Sequence, residues 1–154
     1  MLSQKYLKSS AFKLSNKILK SKLNKEFFIK PYKHLIIDNV IDDSFANLCL
    51  KNFPSLDNKK NWNKSNLKSI EVKYGSNWES EFDIPKGLLE FVRILNSSII
   101  LKSLSEKFSI KKLMPDPYFT GGGLNITEKG GLLDVHVDGN YHDASSLNRR
   151  INVI

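Results

Sequence analysis

The stretch GGGLNITEKGGLLDVHVDGNYHD, residues 121–143, carries a histidine and an aspartate two positions apart within an apolar run. Side chains at alternate positions of a β-strand leave the same face, so His136 and Asp138 are predicted to point together. The flanking Val135 and Val137 are predicted to point the other way, into a core. The stretch therefore predicts a strand with one apolar face and one face suited to binding a ligand.

The last forty residues, which include this stretch, have the pattern of a series of strands. Strands are predicted at 118–127 and 132–138, with a turn at Gly130–Gly131 between them, because paired glycines favour tight turns. A further strand is predicted at 149–154, after a loop. The end of the chain is therefore predicted to be β-structure.

An imidazole and a carboxylate side by side are two of the three protein ligands in the 2-His-1-carboxylate site of non-haem Fe(II) oxygenases. By itself the pair is weak evidence, because on the order of one unrelated chain in ten of this length would contain it by chance. The alternative is that His136 is a hydrogen-bonded core histidine and that Asp138 begins a turn before Gly139–Asn140.

Further upstream, "HLIIDNVI" (34–41) is a short β-branched apolar run and predicts a buried strand. Asp42 or Asp43 is predicted to cap a helix through "DSFANLCLKNF" (43–53), because an aspartate oxygen accepts free first-turn N–H groups. Cys49 lies among apolar neighbours in this helix and is predicted to be a small core residue.

The region 55–85 is polar, with "NKKNWNKSN" (58–66) predicted as a loop and "SIEVKYG" (69–75) as a strand. Trp62 and Trp78 are predicted to pack at a core edge or to touch a ligand. After Pro85, apolar residues recur at spacings of three and four, which predicts helical structure up to residue 108, divided into two helices at Asn96 and Ser97.

Residues 1–30 hold eight lysines and one acid, a net charge of +7, whereas residues 31–154 have 16 basic and 15 acidic residues, a net +1. Apolar residues at helical spacing predict that this segment is a basic amphipathic helix. Three interpretations stay open: a solvated extension packed on the domain, a surface that binds membrane or nucleic acid, or an organellar transit peptide, which the lack of arginine disfavours.

With 154 residues, 40% hydrophobic and 26% charged, the composition is typical of one globular domain. The longest apolar runs are too short to cross a bilayer, and the first residues lack the apolar core of a secretory signal. One cysteine cannot form an internal disulfide, which favours a reducing cytoplasm.

Two segments together carry a family resemblance: "PYKHLIIDNVIDDSFANLCLKNFP" (31–54) and "GGGLNITEKGGLLDVHVDGNYH" with the following "RRINVI". They resemble the Fe(II)/2-oxoglutarate-dependent oxygenases of the prolyl 4-hydroxylase-like group. The resemblance implies an α+β fold, with N-terminal helices packed on the first strands of a double-stranded β-helix (jelly roll) that is incomplete in this chain. It covers residues 31–154, which are predicted to be the N-terminal part of an oxygenase domain, and the basic helical extension at 1–30 lies outside it.

By this resemblance His136 and Asp138 are the first two metal ligands, Fe(II) is the metal, 2-oxoglutarate is the co-substrate, and ascorbate is a further candidate cofactor. The family's third ligand, a histidine, and the arginine or lysine that binds 2-oxoglutarate are expected beyond Ile154. His34 matches the family's first strand. Thr127 lies near the position of a tyrosine that contacts the co-substrate in many relatives.

His142 is predicted to lie in the loop after Asp138. The alternative that His142 takes part in a three-ligand, zinc-like site also stays open.

The resemblance implies a dioxygenase that hydroxylates an unknown substrate: a protein, a small molecule or a sugar-linked group. The 154-residue chain alone is expected to be inactive, and a second chain that completes the fold is a candidate partner. One rival interpretation is a non-catalytic remnant or interaction module of the same fold. Another is a protein that binds a membrane or nucleic acid through its basic helix, with nucleic acid disfavoured because the rest of the chain is nearly neutral.

Overall fold

The computed structural model describes residues 2–67, 70–119, 122–143 and 145–154. The chain forms two compact units. The helical unit comprises Met1–Phe53 and Pro85–Pro115, and the sheet unit comprises Pro54–Ile84 and Asp116–Ile154. This division by compactness does not test the predicted boundary between residues 30 and 31, which stays a prediction.

The helical unit is built on four helices and a short antiparallel hairpin. Its elements are α1 (Gln4–Lys20), β1 (Phe27–Phe28), β2 (His34–Leu35), α2 (Asp43–Lys51), α3 (Lys86–Leu95) and α4 (Ser98–Phe108). Helix α1 lies against α4 and α3, and its buried side chains recur at spacings of three and four, which puts them on one face. The core that these helices enclose contains Ala11, Leu14, Ile18, Phe45, Ile94 and Ile100.

The predicted division between α3 and α4 is confirmed, whereas Cys49 lies at the edge of the core rather than inside it. Helices α3 and α4 are divided at Asn96 and Ser97, and the Ser97 hydroxyl caps α4 by accepting the Ile100 N–H at 3.4 Å. Cys49 is half-buried and packs against the core, with its Sγ 3.5 Å from the carbonyl of Gly87. Burial, and secondly the carboxylate of Glu90, raise the pKa of the Cys49 thiol.

Two other elements of this unit are shorter than predicted. Helix α1 ends at Lys20 rather than near residue 30. At this end of the helix, the Ser21 hydroxyl donates to the carbonyl of Ile18 at 2.7 Å. The strand predicted at 34–41 is limited to His34–Leu35. The chain turns at Asn39, which has a φ of 53°, and Lys17 Nζ donates to the Asn39 carbonyl at 2.7 Å.

Asp42, rather than Asp43, caps α2. Its Oδ1 accepts the Phe45 N–H at 3.0 Å and the Ser44 hydroxyl at 2.7 Å, and the Tyr6 hydroxyl donates to Oδ2. The bond from Tyr6, followed by those from Ser44 and Phe45, lowers the pKa of Asp42 to about 2. All three bonds favour the ionised carboxylate.

The Asp42 cap predicts a pH effect on stability. Because its folded pKa of about 2 lies below the ordinary value of 3.8, its contribution is present above about pH 4 and is lost as the pH falls towards 2. We expect the unfolding temperature of Asp42→Asn to fall less steeply over this range than that of the wild type, because asparagine also caps but does not titrate. Circular dichroism melts at a series of pH values measure this. Asp43→Asn, at the neighbouring exposed position, is the control, and equal slopes for wild type and Asp42→Asn would contradict the prediction.

The sheet unit is built on a central antiparallel sheet and a separate hairpin. Its strands are β3 (Trp62–Leu67), β4 (Glu71–Ser76), β5 (Asn125–Ile126), β6 (Leu132–Leu133), β7 (Tyr141–His142) and β8 (Leu147–Asn148). Strand β4 lies between β3 on one side and both β5 and β6 on the other, and β7 pairs with β8. The strand predicted at 69–75 is confirmed as β4, although residue 69 lies outside the described part of the chain.

The loop predicted at 58–66 is wrong from Trp62 onward, because strand β3 begins at that residue. Strand β3 pairs with β4 along its whole length, from Trp62 opposite Ser76 to Leu67 opposite Glu71. The ladder uses backbone groups, so polar side chains do not prevent it. Trp62 is buried and its indole N–H donates to the Ser55 carbonyl at 3.1 Å, so packing in the core is confirmed for this tryptophan.

The two strands predicted on either side of Gly130–Gly131 do not form a hairpin with each other. Ile126 lies opposite Tyr74 and Leu132 lies opposite Val72, so both segments pair with β4 and follow one another along it. The turn at Gly130–Gly131 exists, but it is part of a bulge of residues 127–131 that lies opposite Lys73 between the two strands. The predicted strand at 118–127 is limited to Asn125–Ile126, and residues 120–121 lie outside the described part.

The observed mixture of helices and antiparallel strands confirms the predicted α+β class. In the described part of the sheet unit, Trp62 and Ile84 are the buried apolar side chains, whereas many others are exposed. None of the helices in the described ranges combines the length and apolar composition that crossing a bilayer requires.

Candidate metal site

His136 and Asp138 lie just beyond the end of β6. The ladder with β4 ends where the Asp134 N–H donates to the Ile70 carbonyl at 2.8 Å, and residues 135–140 continue without strand structure. The strand predicted at 132–138 is therefore limited to Leu132–Leu133. The predicted core positions are also wrong, because Val135 is 99% exposed and Val137 is 88% exposed.

The two predicted ligands nevertheless come together. His136 Nε2 lies 3.2 Å from Asp138 Oδ1, and both side chains are partly open to solvent. The prediction that these two side chains point together is thus confirmed, although the two residues do not belong to a paired strand.

The backbone orients the His136 ring. Its Nδ1 lies 2.7 Å from the carbonyl of Asp134, an acceptor, so Nδ1 carries the proton. In the neutral imidazole the lone pair is then on Nε2, the atom that faces Asp138. A carbonyl that holds the other ring nitrogen in this way is the usual support of a metal-binding histidine.

The Asp138 carboxylate is held by residues from the end of the chain. Its Oδ2 lies 3.2 Å from Asn152 Nδ2 and 3.5 Å from Arg149 Nη1. The strand predicted at 149–154 is wrong, since this segment follows the β7–β8 hairpin without strand structure. The hairpin reverses the chain, and the Arg149 N–H donates to the Asn140 carbonyl at 2.6 Å, which brings both side chains back to Asp138.

Sequence reasoning missed Arg149 and Asn152 as partners of Asp138. The signal in the sequence is the run "RRIN" (149–152), which lies in the segment predicted as a strand. The polar residues of this run do not indicate by themselves that they contact Asp138, because contacts across a hairpin depend on where the chain reverses.

Glu71 on β4 lies in the same region and forms an ion pair with Lys73. Hydrogen bonds from the Ser65 hydroxyl and then from Lys73, whose Nζ lies 2.9 Å from Glu71, lower the pKa of this carboxyl, with a smaller contribution from His136. Glu71 is therefore ionised at neutral pH, and the paired Lys73 ammonium offsets its charge.

The geometry fits two adjacent positions around one metal ion. Ligand atoms bound at about 2.1 Å and separated by a right angle lie about 3 Å apart. The observed 3.2 Å from Nε2 to Oδ1 matches this separation, and an imidazole with a carboxylate suits Fe(II). In the described part of the chain, no group of three or more His, Cys, Asp or Glu side chains is arranged to hold a metal ion.

His142 and His34 lie in other settings. His142 is in β7, where Nδ1 lies 2.8 Å from the Ser145 hydroxyl and accepts the Ser145 N–H at 3.1 Å, and its ring stacks on Tyr118 at 5.3 Å. The loop prediction for His142 is therefore wrong. His34 is in the helical unit and stacks on Phe28 at 4.8 Å. Thr127 begins the bulge between β5 and β6 and is exposed.

A shallow open cavity of about 560 Å³ lies elsewhere in the sheet unit. Its lining combines the aromatic rings of Trp78, Tyr118 and Phe119 with polar groups of Asn63 and Glu79. Trp78 is partly exposed there, so both interpretations of this tryptophan stay open.

No protein-family model, no curated protein and no solved structure matches this chain.

Proposed function

We propose that the chain carries the first two iron ligands, His136 and Asp138, of an Fe(II)/2-oxoglutarate-dependent oxygenase. The observation that carries the proposal is the 3.2 Å separation of His136 Nε2 and Asp138 Oδ1, which suits two adjacent ligands of one ion. The α+β architecture is compatible with the jelly roll that we propose for the complete catalytic domain.

The supporting contacts have defined roles in this proposal. The Asp134 carbonyl keeps the His136 proton on Nδ1, which leaves Nε2 free to bind a metal. Arg149 and Asn152 hold Oδ2 of Asp138, so Oδ1 faces the histidine. When bound, Fe(II) with 2-oxoglutarate and dioxygen would supply the oxidation of a substrate C–H bond to an alcohol, with 2-oxoglutarate converted to succinate and carbon dioxide.

A working site of this kind needs a third protein ligand and a basic residue for the distal carboxylate of 2-oxoglutarate. We expect both from a segment other than residues 1–154, in the same or a second polypeptide. The exposed apolar side chains of the sheet unit, among them Leu133, Val135 and Leu147, are the surface that additional strands would cover.

Paramagnetic broadening in NMR tests the proposal on the 154-residue protein. Because the chain has only three histidines, titration with Mn²⁺, and anaerobically with Fe²⁺, can be followed at all of them in one spectrum. We expect the His136 ring signals to broaden first, and those of His34 act as the internal control, because His142 Nε2 itself lies 3.9 Å from Asp116 Oδ1. Asp138→Asn is expected to raise the metal concentration for half-broadening about tenfold or more, because an amide oxygen is a poorer ligand than a carboxylate.

Asp143→Asn is the matched control, since Asp143 is an exposed aspartate of the same region. It is expected to leave the titration unchanged. Equal broadening of all three histidines, or no effect of Asp138→Asn, would contradict the proposal.

The gene sequence downstream of codon 154 gives a second test. A histidine several tens of residues further on, followed by an arginine or lysine, in any reading frame, would supply the missing groups. Unrelated sequence in all three frames would favour a non-catalytic module.

A further inference from the structure

The positive charge of the chain is concentrated in the helical unit. This unit contains 16 basic and 6 acidic residues, a net +10, whereas the sheet unit contains 8 basic and 10 acidic residues, a net −2. The unit that contains the candidate metal site is thus slightly acidic. A strongly cationic surface is therefore a separate property of the helical unit.

The β1–β2 hairpin projects an amphipathic tip from this unit. The hairpin tip is "IKPYK", residues 29–33, and all five of its residues are exposed. Ile29 is 50% exposed and Tyr32 is 70% exposed, and Lys30 and Lys33 directly follow them in sequence. An aliphatic and an aromatic side chain are thus presented to solvent, each directly followed by a lysine.

The base of the hairpin is anchored, so the tip is presented from an ordered support. The ring of Phe27 packs edge-on against Phe108 with centroids 5.4 Å apart, and Lys107 Nζ lies 4.8 Å above the Phe27 ring. Lys107 also donates to the Ser21 carbonyl at 2.6 Å, and the Ile36 N–H donates to the Glu26 carbonyl at 2.8 Å.

The same pattern continues beside the tip. Between residues 19 and 36 there are five exposed lysines and one acid, Glu26. That acid is engaged locally, because its Oε2 accepts the Lys22 N–H at 2.8 Å and its Oε1 lies 3.5 Å from Lys25 Nζ. The exposed apolar side chains interleaved with these lysines are Leu19, Leu23, Ile29, Tyr32 and Ile36.

We propose that the hairpin tip docks the helical unit on a membrane surface rich in anionic phospholipids. Lysines bind the lipid phosphates, and Tyr32 and Ile29 enter the boundary between headgroups and acyl chains, where tyrosine is favoured because it has an apolar body and a polar end. Nucleic acid would engage the lysines but would leave the aliphatic side chains exposed, so the combination fits a membrane better. This inference does not depend on the proposed oxygenase function.

Vesicle flotation with the 154-residue protein tests the inference. The probes are vesicles of phosphatidylcholine alone and of phosphatidylcholine with phosphatidylserine. We expect the protein to bind the vesicles that contain phosphatidylserine and not those of phosphatidylcholine alone. Added salt is expected to weaken this binding. Lys30→Gln with Lys33→Gln is expected to weaken binding about 30-fold, from about 1 kcal/mol per lysine. Ile29→Ser with Tyr32→Ser is expected to weaken it about tenfold without a change of charge.

Matched controls come from the sheet unit. Lys59→Gln with Lys60→Gln removes the same charge, and Phe82→Ser removes an aromatic side chain that is 89% exposed. Both are expected to leave vesicle binding unchanged. Circular dichroism melts verify that each variant is folded. We expect all of them to fold, because the altered side chains are exposed.

Three outcomes would overturn the inference. The first is an absence of binding to the anionic vesicles. The second is an equal loss of binding in the control variants, which would indicate adsorption by net charge alone. The third is tighter binding to duplex DNA or RNA that is insensitive to Ile29→Ser with Tyr32→Ser, which would indicate a nucleic-acid surface.

Discussion

Replacing Phe45 with alanine is expected to lower the free energy of unfolding of the helical unit by about 3–5 kcal/mol. Phe45 is fully buried in α2, and its ring contacts Tyr6 of α1 and Phe91 of α3 edge-on, with centroids 6.1 and 6.2 Å apart. Truncation removes the shared contact of three helices and leaves a cavity that rigid helix backbones fill only in part.

Urea denaturation followed by circular dichroism at 222 nm measures this effect, because the α-helices of the described chain all belong to the helical unit. Leu50→Ala is the control: Leu50 lies in the same helix but is 71% exposed, so the expected change is within about 0.5 kcal/mol. A loss below about 1 kcal/mol for Phe45→Ala, or equal losses in the two variants, would contradict the assigned core.

Replacing Gly131 with alanine is expected to destabilise the sheet unit by about 1–3 kcal/mol. A Cβ at this position would lie 2.5 Å from Thr127 Cγ2, 2.8 Å from the Val72 carbonyl and 2.9 Å from the Glu128 carbonyl. Two of these three atoms are backbone, so the bulge between β5 and β6 has to move. Since β6 leads directly to His136, the substitution is also expected to disturb the candidate metal site.

Tryptophan fluorescence during urea denaturation reports on this unit, because both tryptophans, Trp62 and Trp78, belong to it. Gly139→Ala is the matched control, because a Cβ there meets no atom within 4 Å and the expected change is within about 0.5 kcal/mol. The Mn²⁺ titration of His136 provides the second measurement. Wild-type stability and wild-type broadening in Gly131→Ala would show that the bulge does not position the site.

The helices were the most predictable part of the fold, because their signals are local. The apolar spacing after Pro85 predicted α3 and α4, and the division at Asn96 and Ser97 followed from residues that cap and interrupt helices. The capping of α2 was predicted to within one residue, since the Asp42 carboxylate needs only the N–H groups of the next turn.

The strands were poorly predicted, because a strand depends on a partner that is distant in sequence. "WNKSNL" is polar and forms a six-residue strand, since β4 pairs with its backbone. "DVHVD" alternates as a strand should, yet Val135 and Val137 are exposed where pairing with β4 has ended. Alternation shows which side chains share a face, but it does not show whether another strand or a core is present.

In the candidate metal site, too, one part depends on local sequence and another part depends on residues that are distant in sequence. The sequence alone determined that an imidazole and a carboxylate two residues apart can meet on one side of an extended chain, since this depends on bond geometry within three residues. The contacts of Arg149 and Asn152 with the carboxylate follow from the tertiary fold, because the β7–β8 hairpin sets where the chain returns. The exposure of Ile29 and Tyr32 likewise depends on the tertiary structure, because burial is set by the contacts of the whole unit and not by neighbouring residues in the sequence.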